Sequence, residues 1–193
     1  GVKEKKCVVI NQLGRYVFVQ LMELKKDRSQ FLESIRKAAS MLHTQIVEAK
    51  LESITVVDVE GKAEETLAFA EGLALSNYQF LKYKKDKVKE AHSLKTIGVY
   101  SKKITDKQLE QLNTVAEAVF ISRTLVNEPV NFLTATQLGK EFQKLGKQAG
   151  FNVEVLNKSK ITSLKMGGLL AVNLGSIEPP TFTIMEYKPG NAK

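Results

Sequence analysis

The chain has 193 residues, 43% of them hydrophobic, and a formal net charge of +8. This length and apolar content provide a core for one large or two small domains and exclude a disordered chain. No apolar run reaches the roughly twenty residues of a membrane span, residues 1–24 lack a secretory signal, and the lone Cys7 cannot form an internal disulfide, so a reducing, cytoplasmic location is expected.

Residues 1–6 are charged and expected to fray. Cys7–Ile10 and Tyr16–Leu21, rich in Val, Ile, Tyr and Phe, read as two strands around a turn at Leu13-Gly-Arg15. Asp27 or Ser29 can cap a helix to about Val47, with Phe31, Leu32, Ile35, Ala38, Ala39, Leu42 and Ile46 as its buried stripe. Ile54–Val59 is a near-continuous apolar run, as expected of a strand covered on both faces. Gly61 closes it, and Lys62–Phe80 predicts a second helix with Leu67, Ala70, Glu71, Ala74 and Tyr78 at helical spacing. The five lysines of Lys82–Lys89, one tyrosine among them, read as a solvated loop face before a short strand at Thr96–Tyr100.

A long helix then starts at Thr105, whose pairing with Gln108 is a capping box. Leu109, Leu112, Val115, Ala116, Val119, Ile121, Leu125 and Val126 supply its apolar stripe. Pro129 lacks an N–H and pushes Glu128 out of helical geometry, so the helix should close near Asn127. Asn127, Glu128, Pro129 and Asn131 are assigned a structural role, as the cap and pivot of a joint between domains. Thr134 or Thr136 caps the next helix to about Ala149, ended by Gly150. A strand at Phe151–Leu156, a short helix at 160–172 and a strand at Thr181–Tyr187 complete the pattern. Alternating strands and helices predict an α/β fold with a mixed, mostly parallel sheet flanked by helices.

Three stretches carry a family resemblance. Ser122-Arg-Thr-Leu-Val-Asn-Glu-Pro-Val-Asn131 resembles the joint of the leucyl (cytosol) aminopeptidases, which are two-metal exopeptidases. Ala70–Tyr83 is similar to the segment that precedes it. Met166–Ser176, with Glu178-Pro-Pro180 and Met185-Glu-Tyr187, is similar to the segment that follows. The resemblance implies a macro-like amino-terminal domain over 1–104, a linking helix over 105–128, and the incomplete start of an α/β catalytic domain over 129–193. It implies peptide substrates, two divalent metal ions (zinc or manganese) and a homo-oligomer, a hexamer in the family, for the parent enzyme.

The family's metal ligands lie in motifs after the segment matched by Met185-Glu-Tyr187, so they are expected beyond Lys193. No catalytic, metal-binding or substrate-binding residue is therefore carried over, and no metal is expected in this chain. Gly1 in place of an initiating Met suggests a trimmed amino-terminal portion, predicted inactive by itself and serving as scaffold. His43 and His92, 49 residues apart, stand in no metal-ligand spacing and read as ordinary helix and loop residues. Glu64 and Glu65 complement a helix dipole, and the Asp58/Glu60 pair is a weak acid/base candidate. Gly167, Gly168 and Gly175 lack a phosphate-loop pattern and read as close-packing or turn glycines.

The alternative is a macro-like binding module for nucleotide, or for nucleic acid held by the 82–89 lysines. Residues 1–100 carry 17 Lys+Arg against 13 Asp+Glu and residues 101–193 carry 12 against 8, so the positive charge is not polarised.

Overall fold

The computed structural model describes residues 7–190; the expectation for residues 1–6 lies outside them. The fold is mixed α/β and divides into two compact units, Gly1–Thr124 and Leu125–Lys193.

The first unit begins with a hairpin of β1 (Cys7–Asn11) and β2 (Tyr16–Gln20), antiparallel from Cys7 opposite Gln20 to Asn11 opposite Tyr16. Leu13 takes a left-handed conformation in the turn, φ 60°, with its side chain in solvent. α1 (Arg28–Glu48) starts where its sequence dictates, because the Asp27 side chain accepts from the Gln30 N–H at 2.7 Å. It ends at a residue that carries no turn signal. Lys50 adopts φ 52°, its N–H reaches the Val47 carbonyl and the Leu51 N–H reaches that of Ile46, the two bonds of a Schellman stop.

α2 (Ala63–Ser76) is shorter than the helix predicted over Lys62–Phe80, and its buried face is displaced to Thr66, Ala68, Ala70, Gly72 and Leu73. Gly72 lets the two helices approach so closely that a Cβ there would lie 2.5 Å from the Arg36 carbonyl oxygen, and Asn77 leaves the helix to bond side chains from elsewhere.

β3 (Ser53–Val57) and β4 (Thr96–Tyr100) pair in parallel across α2 and α3 (Lys87–Glu90), a helical turn where the lysine-rich sequence predicts a loop. Ile54, Val56 and Ile97 pack on a core of Ala39, Leu42, Ile46, Leu73 and Leu94, with Phe31, Ile35 and Ala68 adjoining it. Ser53, Thr55 and Val57 remain exposed, so β3 is covered on one face only. α4 (Asp106–Asn127) closes the unit. Its capping box forms as read: the Thr105 N–H donates to Gln108 Oε1 at 2.9 Å, and the Gln108 N–H to Thr105 Oγ1 at 3.4 Å. Of its predicted stripe only Ala116 is fully buried, and Val115 and Val126 are exposed.

In the second unit Thr134 caps α5 (Ala135–Ala149), and Gly150 ends it at φ 77°. α5 covers one face of an antiparallel pair, β5 (Asn152–Leu156) and β6 (Phe182–Glu186), through Gly139 against Val155 and Gly146 against Val153. The helix predicted over 160–172 is two, α6 (Lys158–Ser163) and α7 (Gly167–Asn173). A left-handed Lys165 at φ 55° separates them.

The sheets therefore depart from the mostly parallel arrangement expected. Among the described residues parallel pairing is confined to β3–β4, while the pairs β1–β2 and β5–β6 are antiparallel. The short turn at residues 12–15 permits only antiparallel neighbours, whereas β3 and β4 are joined by a helical crossover.

Candidate functional site: the α2–α4 junction and a histidine pair

Two of the stretches that carry the resemblance meet inside the first unit. The helical carbonyls at the end of α2 lack intrahelical partners. Arg123, on the last turns of α4, donates from Nη1 to the Leu75 carbonyl at 2.6 Å and brings positive charge to a helix carboxyl end. Its guanidinium also lies over the Tyr78 ring, 5.6 Å from the centroid. Tyr78 in turn bonds Thr124 Oγ1 at 3.1 Å and packs on Phe120 with ring centroids 5.4 Å apart. Residues 75–78 and 120–124 are thus one packed cluster.

The proposed joint follows at the start of the second unit. Asn127 is the last helical residue, and the Glu128 N–H reaches the Leu125 carbonyl at 3.4 Å. The Pro129 carbonyl accepts from both Phe132 and Leu133 at 2.9 Å, making Pro129–Phe132 a turn with Asn131 exposed within it.

A second constellation, with no local signature in the sequence, gathers at Asn77. Asn77 Oδ1 accepts from His43 Nε2 at 2.9 Å and from His92 Nδ1 at 3.2 Å, which fixes the proton-bearing nitrogen of each ring. Asn77 Nδ2 donates to the Leu94 carbonyl at 2.9 Å. The two imidazoles stand edge to face with centroids 5.0 Å apart, and His43 is buried. Burial, and then the neighbouring His43, push the His92 pKa below its ordinary value; a hydrogen bond with the Asn77 backbone opposes this in part. The only sequence signal was negative: 34 and 15 residues separate the partners from Asn77, and no local motif spans such distances.

Glu64, Glu65, Asp58 and Glu71 are committed to structure. Arg28 binds Glu64 and also Glu65, the latter at 2.7 Å, and it holds the Glu65 carboxyl below its usual range. Asp58 accepts from Ser101 Oγ at 2.7 Å and from the Lys62 N–H at 2.8 Å, and its pKa is lowered chiefly by Ser101. Glu71 pairs with Arg36 at 2.6 Å. Among the described residues no three His, Cys, Asp or Glu side chains gather as a metal site. The groups present therefore do not fit a two-metal centre, and no metal-dependent step is assigned to them.

Cys7 packs half-buried against the core, and burial raises its thiol pKa. Lys82–Lys89 is exposed, with Lys84 bridged to Glu90 at 3.1 Å and Lys82 over the Tyr83 ring. Of the two readings for Gly167, Gly168 and Gly175, close packing does not hold, since a Cβ at any of them meets nothing within 4 Å, while Gly175 lies in the turn after α7. No helix among the described residues is long and apolar enough to cross a membrane.

Comparison with known proteins places this geometry. The model of the cytosol aminopeptidase family's catalytic domain matches residues 120–193, beginning within α4. A probable cytosol aminopeptidase of Chlorobaculum parvum is 40% identical over 184 residues, covering 84% of this chain and 36% of the relative. One from a Sulfurihydrogenibium species is 32% identical over 207 residues, covering 99% of this chain and 40% of the relative. Among solved structures, a mutant tomato leucine aminopeptidase superposes with TM-score 0.78 at 20% identity, over 97% of this chain and 39% of its own. The bottromycin maturation enzyme BotP, solved in complex with Mn, gives 0.77 at 24% identity, over 95% and 39%. The chain thus spans well under half the length of these relatives. It belongs to the cytosol aminopeptidase family and matches the amino-terminal portion of its members.

Proposed function

We propose that this chain is the scaffold portion of a two-metal aminopeptidase that removes amino-terminal residues from peptides in the cytoplasm, and that it carries none of the reacting groups itself. The supporting observation is that the catalytic-domain match takes in only residues 120–193, beginning within α4, and that the chain spans 36–40% of the relatives' length. In this reading residues 1–104 form a macro-like assembly domain of a hexameric parent, 105–128 the linking helix and 129–193 the first part of the catalytic domain. Two zinc or manganese ions act on the scissile amide in the parent, held by residues beyond these.

Residues 1–193 alone are expected to show no hydrolysis of leucyl-p-nitroanilide with Mn²⁺ or Zn²⁺ supplied, while the full-length enzyme turns it over. Activity in the 193-residue chain, abolished by chelation, overturns the scaffold reading. Asn127, Glu128, Pro129 and Asn131 serve as the pivot. In the full-length enzyme Asn127→Ala or Glu128→Ala is expected to lower Tm while KM stays within about twofold, the pattern of lost support rather than lost substrate binding. A raised KM at unchanged Tm assigns these residues to substrate instead.

A further inference from the structure

Two boundaries in this chain do not coincide. The match to the family's catalytic domain begins at residue 120, whereas the first compact unit runs to Thr124. Residues 120–124 therefore carry sequence of the catalytic domain but pack inside the amino-terminal unit. Three of them meet Tyr78. Phe120 lies against its ring with centroids 5.4 Å apart, the Arg123 guanidinium stands over the ring at 5.6 Å from the centroid, and Thr124 Oγ1 bonds its hydroxyl at 3.1 Å. Arg123 also donates to the Leu75 carbonyl at 2.6 Å.

These contacts matter because burial does little to hold α4. Of its 22 residues, all of them described, Ala116 alone is buried, and Val115, Ile121 and Val126 stand in solvent. The amino end is fastened by the Thr105/Gln108 box. The carboxyl end, stopped by Pro129, is left with carbonyls that lack intrahelical partners, and such an end frays unless something holds it. On the facing side, α2 has no basic residue in its last turn. Arg123 supplies from α4 the positive charge that this helix end favours. A planar guanidinium can donate to a carbonyl from its edge while its face rests on a ring, which an ammonium cannot do. One side chain thus ties the two helix ends together.

We propose that Tyr78 and Arg123 are positioning residues: they clamp the last turns of α4 to the end of α2 and so fix the joint Asn127–Asn131, from which the catalytic domain continues. The second unit starts at Leu125, one residue after Thr124, so what holds Thr124 holds the point from which that unit is built. This inference rests on the reading of the parent as an aminopeptidase and deepens it, by naming residues away from the reactive centre on which turnover depends.

Two measurements test the clamp, one of them independent of activity. In residues 1–193, Arg123→Ala and Tyr78→Leu are each expected to speed amide exchange about tenfold at residues 121–127 and at Phe132 and Leu133, whose N–H groups bond the Pro129 carbonyl, while the first turn of α4 is unaltered. Val115→Ala, exposed on the same helix, should change neither. Exchange left as it was at Phe132 and Leu133, or raised equally along all of α4 or by Val115→Ala, overturns the clamp. In the full-length enzyme, at a temperature where every variant is folded, the same two substitutions are expected to lower kcat about tenfold with KM within about twofold. The double variant should lose no more than either alone, because a clamp already open is not opened again. Where either variant fails to fold, Arg123→Lys, which keeps the charge and loses the plane, is expected to show the same split at about threefold. An unchanged kcat, a raised KM, or losses that multiply in the double variant overturn the positioning role. If the wild-type enzyme hydrolyses no leucyl-p-nitroanilide, the aminopeptidase reading falls while the exchange rates still decide the clamp.

Discussion

Gly72→Ala is expected to destabilise the first unit by about 2 kcal/mol and Gly72→Val by more than about 3 kcal/mol, a large part of the stability of a small domain. A Cβ on Gly72 meets the Arg36 carbonyl oxygen at 2.5 Å, the Arg36 Cα at 2.8 Å and the Ala39 Cβ at 2.9 Å. The first two are helix backbone, which cannot swing aside as a side-chain tip would. Relief requires α1 and α2 to separate, and the core of Ala39, Leu42, Ile46 and Leu73 lies along that seam. Helix propensity works the other way, favouring Ala over Gly by about 1 kcal/mol, so the sign of the result decides which effect dominates. Gly168→Ala in α7 isolates propensity, because no atom lies within 4 Å of its Cβ position. It should be neutral or slightly stabilising. Urea midpoints at constant m measure both variants; a Gly72→Ala midpoint that rises with that of Gly168→Ala would mean that the helices do not touch there.

Elements governed by neighbouring residues were legible in the sequence. Asp27, Thr134 and the Thr105/Gln108 box each satisfy backbone N–H groups within a turn of themselves, and Pro129 and Gly150 act on their own residue, so these helix ends fell where read. Lys50 and Lys165 stop helices in left-handed geometry that lysine does not favour, held by Schellman bonds and context, and no local rule flags them. Pairing depends on which strands meet in space, so the run of strands and helices predicted more parallel sheet than the structure contains. In the candidate site, the residues of the 122–131 motif were visible as a motif. Their contact with Leu75 and Tyr78, and the meeting of His43 with His92 through Asn77, are long-range facts with no trace in spacing.

Acidification acts on stability through His92. His92 has a folded pKa below its ordinary value of 6.5, so between the two values the unfolded chain binds more protons than the folded one. Its contribution to stability is therefore complete above about pH 6.5 and is lost as pH falls toward the lower folded value. Asp58 and Glu65 also have depressed pKa values, but their contributions persist until pH falls below the ordinary 3.8 and 4.5 and so titrate in a separate, more acidic window. Asn77→Asp places a carboxylate where Oδ1 now accepts from both rings, favouring the imidazolium form of His92. The folded histidine pKa then rises above the unfolded one, and stability is gained as pH falls from 8 to about 5 rather than lost. At pH 8 the variant should be weaker than the parent by about 1–3 kcal/mol, because the Leu94 carbonyl loses the Nδ2 donor and a carboxylate is desolvated. Denaturation midpoints of both chains across this range give the two slopes directly. Parallel slopes would show that His92 does not bond the residue 77 side chain, since a carboxylate held against its ring must move its titration.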